Sequence, residues 1–137
     1  MKDSLKPGVT YSREVAIDKD RTIAFMGDDL RVYSTPSMVL DIEQTCRELL
    51  LDHHDEGEDS VGARVEVDHL GATLLGQTVT VTATVVEVDG PRSVFEVEVH
   101  DEVDKVGQGK HIRFAIDTAK QGQRLEKKRA RVAEAAG

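Results

Sequence analysis

Three polar side chains interrupt segments of this sequence that otherwise have buried-type patterns, and two of them can transfer protons. Glu43 lies within residues 34–50, where apolar residues recur at helical spacing, and the same spacing aims its carboxylate at the core side of the helix. His69 ends a strand-like segment and lies on the same face as the apolar residues of that segment. Thr35 directly precedes Pro36, the expected first helical residue.

A carboxylate and an imidazole that face each other are suited to acid/base or nucleophilic catalysis, because histidine titrates near neutral pH. Taken alone, each residue has a plainer interpretation. Glu43 would reach solvent from the stripe edge, His69 would be a hydrogen-bonded strand end, and Thr35 would be an N-cap. The pair carries more weight, because both groups are polar exceptions on faces that must pack together, so each could satisfy the other.

Residues 34–50 predict one long helix that starts at Pro36, with the Thr35 hydroxyl capping its first turn. The expected core stripe consists of Val39, Ile42, Cys46, Leu49 and Leu50. The expected solvent side consists of Asp41, Gln44, Thr45, Glu48 and Asp52. A carbonyl that approaches the helix start would meet the N–H groups of Ser37 and Met38, which we expect to stabilise an oxyanion and to bind substrate.

Strand periodicity accounts for most of the remaining chain. A first strand, Tyr11–Ile17, is followed by a loop over residues 18–33 without a sustained period. After the helix, apolar residues recur at every second position, which is typical of a strand. The expected inner face of that strand consists of Val61, Ala63, Val65 and Val67, continued by His69.

Three further strands are expected at Thr78–Val88, Val94–His100 and Val106–Ile116, and their short connections predict an antiparallel meander. The last strand carries Ile112, Phe114 and Ile116 in register. Gly107 and Gly109 inside it indicate a bulge or a close backbone approach.

Composition narrows the class of protein. The chain has 137 residues, 39% of them hydrophobic, a net charge of −8 and one cysteine. This fits one domain in a reducing compartment, and we expect a cytoplasmic protein that binds neither nucleic acid nor membrane. The N-terminus lacks the apolar core of a signal peptide. The adjacent His53 and His54 point about 100° apart on a helix, so we expect no metal site there, and we expect no cofactor.

The order of strand, helix and four antiparallel strands predicts an α+β fold in which a five-strand sheet wraps around one long central helix. We expect residues 1–118 to form a single domain. Residues 119–137 carry six Lys/Arg and two Glu, a net charge of +4, which leaves −12 on the preceding residues. This basic C-terminal tail should be a frayed helix or disordered, and it could help to bind acidic ligands.

This layout resembles the hot-dog fold. Thr35, Glu43 and His69, together with Gly62 seven residues before the histidine, are similar in identity and spacing to the site of the fluoroacetyl-CoA thioesterase family. The resemblance extends to VDHLGATLLGQTVTV at residues 67–81, to HDEVDKVGQGKH at residues 100–111, and to the opening MKD.

The resemblance implies a homodimeric thioesterase that hydrolyses a short-chain acyl-CoA, with Thr35, Glu43 and His69 as the catalytic set. The Gly62 backbone would lie near the thioester or the attacking water. Either Glu43 attacks the carbonyl to form an anhydride, or His69 activates water. The loop before the helix reads AFMGDDLRVYS and contains few aromatic residues, so a preference for fluoroacetyl-CoA is not carried over.

Several questions stay open from the residues alone. The CoA pyrophosphate needs basic groups, and Arg64, Arg92, Lys110, Arg113 or the basic tail could supply them. A non-catalytic acyl-CoA-binding hot-dog protein and an acyl-CoA hydratase remain alternatives to the thioesterase, although a whole Thr, Glu and His set argues against the non-catalytic protein.

Overall fold

A computed structural model describes all 137 residues. The strands are β1 (Thr10–Ala16), β2 (Thr22–Ile23), β3 (Val32–Tyr33), β4 (Glu58–His69), β5 (Thr78–Asp89), β6 (Arg92–His100) and β7 (Lys105–Asp117). The helices are α1 (Thr35–Leu51) and α2 (Thr118–Ala136).

Five strands form one antiparallel sheet in the order β1-β5-β6-β7-β4, which wraps around α1. The predicted α+β fold is therefore confirmed, including the β5–β6–β7 meander. The core lies between α1 and the inner face of the sheet and contains 17 buried apolar residues. Strands β1 and β4 are the two edges, and β4 leaves one side of its 12-residue backbone without a partner strand in the chain.

The core stripe of α1 is broader than its apolar pattern. Ile42, Cys46, Leu49 and Leu50 are buried as predicted. Asp41 and Thr45, which we expected on the solvent side, are buried as well. The reason is that the residues before α1 and strand β1 cover this side of the helix, and polar partners there replace water around Asp41.

A β-bulge changes the phase of β4. Its register with β7 shifts between Gly62 and Arg64, so Ala63 has no cross-strand partner. Val61 therefore faces outward and is 40% exposed, and the prediction that Val61 and Ala63 belong to the inner face is wrong. After the bulge, Val65 begins the inward parity that His69 completes.

The inner face of β7 also differs from its apolar pattern. His111 and Arg113 point into the core and are 0% and 5% exposed, whereas Phe114 is 37% exposed. The meander register explains this arrangement, because His111 pairs with the buried Phe95 and Arg113 pairs with the buried Ser93. Pairing with β6, and not the hydrophobic residues of β7 itself, thus determines which side chains of β7 face the core.

The predicted close approach at the β7 glycines is confirmed. A Cβ on Gly109 would overlap the backbone carbonyl of Glu66 on β4. A Cβ on Gly107 would lie 2.6 Å from the Met38 sulfur of α1. Both glycines therefore let β7 approach an adjacent element more closely than any other residue would allow.

Two segments are more ordered than their sequences indicate. Residues 18–33 contain the short β2–β3 hairpin and two 3₁₀ turns, with Phe25, Met26 and Leu30 exposed between them. The basic tail forms α2, whose N-cap is Asp117 and which has no buried residue. Neither helix combines the length and the apolar character needed to cross a bilayer.

Candidate active site

Thr35 and His69 meet at the start of α1. Thr35 Oγ1 lies 2.7 Å from His69 Nδ1 at the end of β4. The N-cap of α1 is Ser34, whose Oγ accepts a hydrogen bond from the Ser37 N–H at 3.2 Å. The prediction that Thr35 caps the helix is therefore wrong, and capping by Ser34 leaves the Thr35 hydroxyl available to the histidine.

An open cleft of about 390 Å³ surrounds this pair. The β2–β3 hairpin supplies one wall through Ile23 and Val32, and the chain that follows His69 supplies another. Such a cleft gives a ligand access to both side chains from solvent.

Burial lowers the pKa of His69, and a hydrogen bond with the Gly71 backbone partly opposes that shift. The Tyr33 ring lies against the imidazole in an edge-to-face arrangement, with the ring centroids 6.2 Å apart and the planes at 71°. His69 is therefore neutral at pH 7, which is the protonation state that a general base requires.

Glu43 lies elsewhere on the same helix. It is eight residues beyond Thr35, or about 12 Å along the helix axis, and its carboxylate has no hydrogen bond or ion pair within the chain. A Cβ on Gly62 would lie 3.0 Å from Glu43 Oε1, so only glycine leaves room for the carboxylate beside β4. Glu43 and His69 do not contact each other within one chain, contrary to the expectation that each satisfies the other.

Behind Glu43, two buried residues of β7 form a polar cluster. Arg113 donates through Nε to Ser60 Oγ and through Nη2 to the Ser60 carbonyl, both at 2.8 Å. Its Nη1 lies 3.2 Å from His111 Nε2, and His111 Nδ1 lies 2.8 Å from the Arg64 carbonyl. Because a guanidinium only donates, His111 Nε2 accepts, and the ring proton lies on Nδ1.

The charges of this cluster are consistent with that assignment. Burial lowers the pKa of both His111 and Arg113, and Glu43 acts in the opposite direction on each. Burial raises the pKa of the Cys46 thiol to about 12. Cys46 is therefore a core residue and not a nucleophile, while Glu43 is a carboxylate that faces a buried cation.

The spacing of Gly62 and His69 explains how β4 contacts both Glu43 and Thr35. Seven residues separate them, and in a regular strand an odd separation puts two residues on opposite faces. The bulge at Ala63 restores the phase, so that Gly62 faces Glu43 and His69 faces Thr35.

The expected substrate-binding N–H groups of Ser37 and Met38 both have partners within the helix. Ser37 N donates to Ser34 Oγ at 3.2 Å, and Met38 N donates to the Ser34 carbonyl at 3.0 Å. The N–H group of Thr35 has no partner among the cap and turn hydrogen bonds. It is thus the first-turn donor that is free to face the cleft.

The candidate CoA-binding cations divide into two groups. Arg64, Arg92 and Lys110 line a depression of about 240 Å³ on the outer face of the sheet, where Arg64 pairs with Glu66. Arg113 is buried in the polar cluster and cannot reach a bound nucleotide.

Sequence reasoning did not place His111, Tyr33 or Asp41 in the site, and it named Arg113 only as a candidate cation for CoA. For the two β7 residues a signal was present, because the short turn before β7 fixes its register against the Phe95, Val97 and Val99 face of β6. For Tyr33 and Asp41 no local signal exists, since their burial depends on how the preceding loop folds over α1.

Comparison with known proteins identifies relatives over most of the chain. The model of the family described as fluoroacetyl-CoA-specific thioesterase matches residues 17–119. The fluoroacetyl-CoA thioesterase of Streptantibioticus cattleyicolor is 30% identical over 135 residues, covering 93% of this chain and 97% of the relative.

Two solved structures are similar over nearly their whole length. A Thermus thermophilus hypothetical protein of the thioesterase superfamily has a TM-score of 0.86 and 28% identity, covering 94% of this chain and 96% of the other. A variant of a fluoroacetyl-CoA-specific thioesterase in complex with fluoroacetate and CoA has a TM-score of 0.77 and 30% identity, covering 85% of this chain and 98% of the other.

Proposed function

This chain belongs to the fluoroacetyl-CoA-specific thioesterase family and is a thioester hydrolase, and on that premise we propose that it hydrolyses a short-chain acyl-CoA with Thr35, Glu43 and His69 as the catalytic set. The observation that carries the proposal is the 2.7 Å contact between Thr35 and His69 in an open cleft. The complex of a relative with CoA supports the choice of substrate class.

His69 acts as the general base in this proposal. It takes a proton from water as the water attacks the acyl carbonyl, and the Thr35 hydroxyl fixes the orientation of the ring through Nδ1. The Gly71 backbone favours the protonated ring that results. The lowered pKa keeps His69 in the accepting form at neutral pH.

Glu43 is the nucleophile in the reaction we favour. Its carboxylate attacks the thioester carbonyl, the C–S bond breaks, and CoA leaves as a thiolate that takes a proton from solvent, while an acyl anhydride remains on Glu43. Water activated by His69 then cleaves the anhydride. Within the chain the Glu43 carboxylate has no hydrogen bond or ion pair, which leaves both of its oxygens available for this attack.

We further propose a homodimer in which each active site combines Glu43 of one protomer with Thr35 and His69 of the other. The free edge of β4 is the natural place for pairing, because an unpaired 12-residue edge exposes backbone donors and acceptors. Two β4 strands related by a two-fold axis run antiparallel, so the Gly62 half of one strand lies beside the His69 half of the other.

Release of free thiol from a series of short-chain acyl-CoAs tests the reaction. Loss of enoyl absorbance from enoyl-CoAs without release of thiol would instead indicate a hydratase, and binding without turnover would indicate a non-catalytic acyl-CoA-binding protein. Glu43→Gln and His69→Ala should each reduce turnover about a hundredfold or more, and Thr35→Ala should reduce it less.

Mixing these two inactive variants tests the shared site. If each site combines Glu43 and His69 from different protomers, a heterodimer of Glu43→Gln and His69→Ala contains one intact site, so turnover should recover on subunit exchange. No recovery after confirmed exchange would show that both groups act from the same protomer. Light scattering that gives only a 15.1 kDa monomer at micromolar concentration would contradict the dimer itself.

A further inference from the structure

Helix α1 carries a buried carboxylate that the proposed chemistry does not use. Asp41 is 1% exposed, yet it is fully partnered. It accepts the Tyr33 hydroxyl at 2.6 Å and the Arg21 Nε at 3.1 Å, and Arg13 of β1 approaches to 3.7 Å. These partners come from three segments outside the helix, so one carboxylate joins α1 to all of them.

Two of the partners are the two ends of the β2–β3 hairpin. Arg21 immediately precedes β2, and Tyr33 ends β3. Between them, Ile23 pairs with Val32, and both side chains line the cleft. Asp41 therefore fixes the base of the hairpin from both sides, and the hairpin is the wall of the cleft that faces His69.

The Tyr33 ring extends this attachment to the imidazole. Tyr33 is 1% exposed, and its ring packs edge-to-face on His69 at 6.2 Å. Burial, together with the hydrogen bond to Asp41, raises the pKa of the Tyr33 hydroxyl. The hydroxyl consequently remains a donor to Asp41 throughout the pH range in which His69 titrates.

We propose that Asp41 is a positioning residue of the active site: by accepting the Tyr33 hydroxyl and the Arg21 guanidinium, it holds the hairpin wall and the Tyr33 ring against His69. This inference rests on the proposed thioesterase function, because it assigns a role toward the base of that reaction. Asp41 acts on the site through Tyr33 and the hairpin, and is therefore a positioning residue and not a catalytic one.

The energetics of buried charge favour this assignment over a purely stabilising one. A buried ion pair often contributes no more stability than well-packed apolar side chains of the same volume, because both ions must be desolvated. What Asp41 supplies that an apolar residue could not is direction, since a 2.6 Å hydrogen bond fixes where the Tyr33 hydroxyl must lie. The fixed hydroxyl in turn fixes the orientation of the Tyr33 ring that packs on His69.

Tyr33→Phe is the informative variant, because it keeps the ring and removes only the hydroxyl. The ring should then lose its fixed orientation, and kcat should fall about tenfold, as expected for a displaced catalytic group. Water should reach His69 more easily, so the pKa on the acid side of the kcat profile should rise toward the ordinary histidine value of about 6.5. Asp41→Asn, which keeps an acceptor for the hydroxyl, should lose less activity than Asp41→Leu.

Thr45→Val is the matched control. Thr45 is also buried on α1, and its hydroxyl donates to the Asp41 backbone carbonyl at 2.7 Å, but it has no bond to the hairpin. The Thr45→Val variant should have a lower melting temperature, but its kcat and the pKa on the acid side of its kcat profile should be those of the wild type. A Tyr33→Phe enzyme with the same profile as Thr45→Val would overturn the proposal.

Titration of His69 by NMR separates this inference from the proposed function. The ring signals report the pKa and the packing of His69 whether or not any thioester is hydrolysed. A wild-type protein that releases no thiol would refute the thioesterase, while a His69 pKa that is the same in wild type and Tyr33→Phe would refute the positioning role alone.

Discussion

Replacing Gly62 with alanine adds one methyl group between Glu43 and the polar cluster of β7. The new Cβ would lie 3.0 Å from Glu43 Oε1, 3.2 Å from His111 Cε1 and 3.5 Å from Arg113 Nη1. His111 cannot withdraw, because hydrogen bonds hold both of its ring nitrogens. Glu43 has no such restraint within the chain, so its carboxylate is the group that must move.

The displacement and its cost follow from these contacts. A relaxed carbon–oxygen contact needs about 3.5 Å, so the carboxylate should shift by about 0.5 Å. A displacement of about 1 Å can cost a hundredfold in rate, and half of it should therefore cost about tenfold in kcat. Stability should change by less than about 1 kcal/mol, because two effects oppose each other. Alanine reduces the conformational entropy of the unfolded chain, which favours folding, whereas the tighter packing around the new methyl group disfavours it. Gly62 does not have a positive φ, so alanine adds no backbone strain.

The assay is thiol release at saturating acyl-CoA, measured together with the melting temperature of the same preparation. Gly122→Ala on α2 is the control, since its Cβ would meet nothing within 4 Å. A Gly62→Ala enzyme with wild-type kcat would show that the position of Glu43 beside Gly62 does not matter for turnover. An unfolded variant would show that the β4–β7 ladder, and not the side chain, absorbs the methyl group.

Three further outcomes are expected. Gly109→Ala should destabilise the fold by about 3 kcal/mol or more in urea titrations, because the methyl group meets the Glu66 backbone and not a movable side chain. Stability should fall as the pH drops from about 7.5 to 5.5, since burial lowers the pKa of His111 and His54 and the unfolded chain then binds more protons; a flat profile would contradict this. Truncation after Ala119 should leave the melting temperature nearly unchanged, because α2 has no buried residue, and a drop of many degrees would show that it packs on the body.

The elements of the fold were predictable because each has a strong local signal. The helical stripe of α1 and the alternation in β5 identify those elements without any tertiary information. The family and its hot-dog fold, inferred from Thr35, Glu43, His69 and Gly62, are confirmed by the matches to relatives. The roles of these four residues stay predictions.

Several of the predictions that failed concern which side of an element faces inward. Val61 was assigned to the core because β4 alternates, but a bulge has no reliable sequence signal and reverses the phase beyond it. On β7, pairing with β6 points Arg113 inward and leaves Phe114 outward, although Phe114 is the apolar residue of the two. Helical spacing places Asp41 opposite the apolar stripe of α1, but partners more than seven residues away in the chain cover that side of the helix.

The odd separation of Gly62 and His69 makes chain length itself a constraint on this site. Deleting one residue between Arg64 and His69 while the bulge persists would send either the glycine or the histidine to the wrong side of the sheet, whereas a deletion that also removed the bulge would leave an even separation and keep both on one face. Inserting one while the bulge persists would also put the two on opposite faces, although every catalytic side chain would still be present. Tolerance to insertions and deletions should therefore be lowest across residues 62–69, and libraries that vary this strand should substitute residues without changing their number.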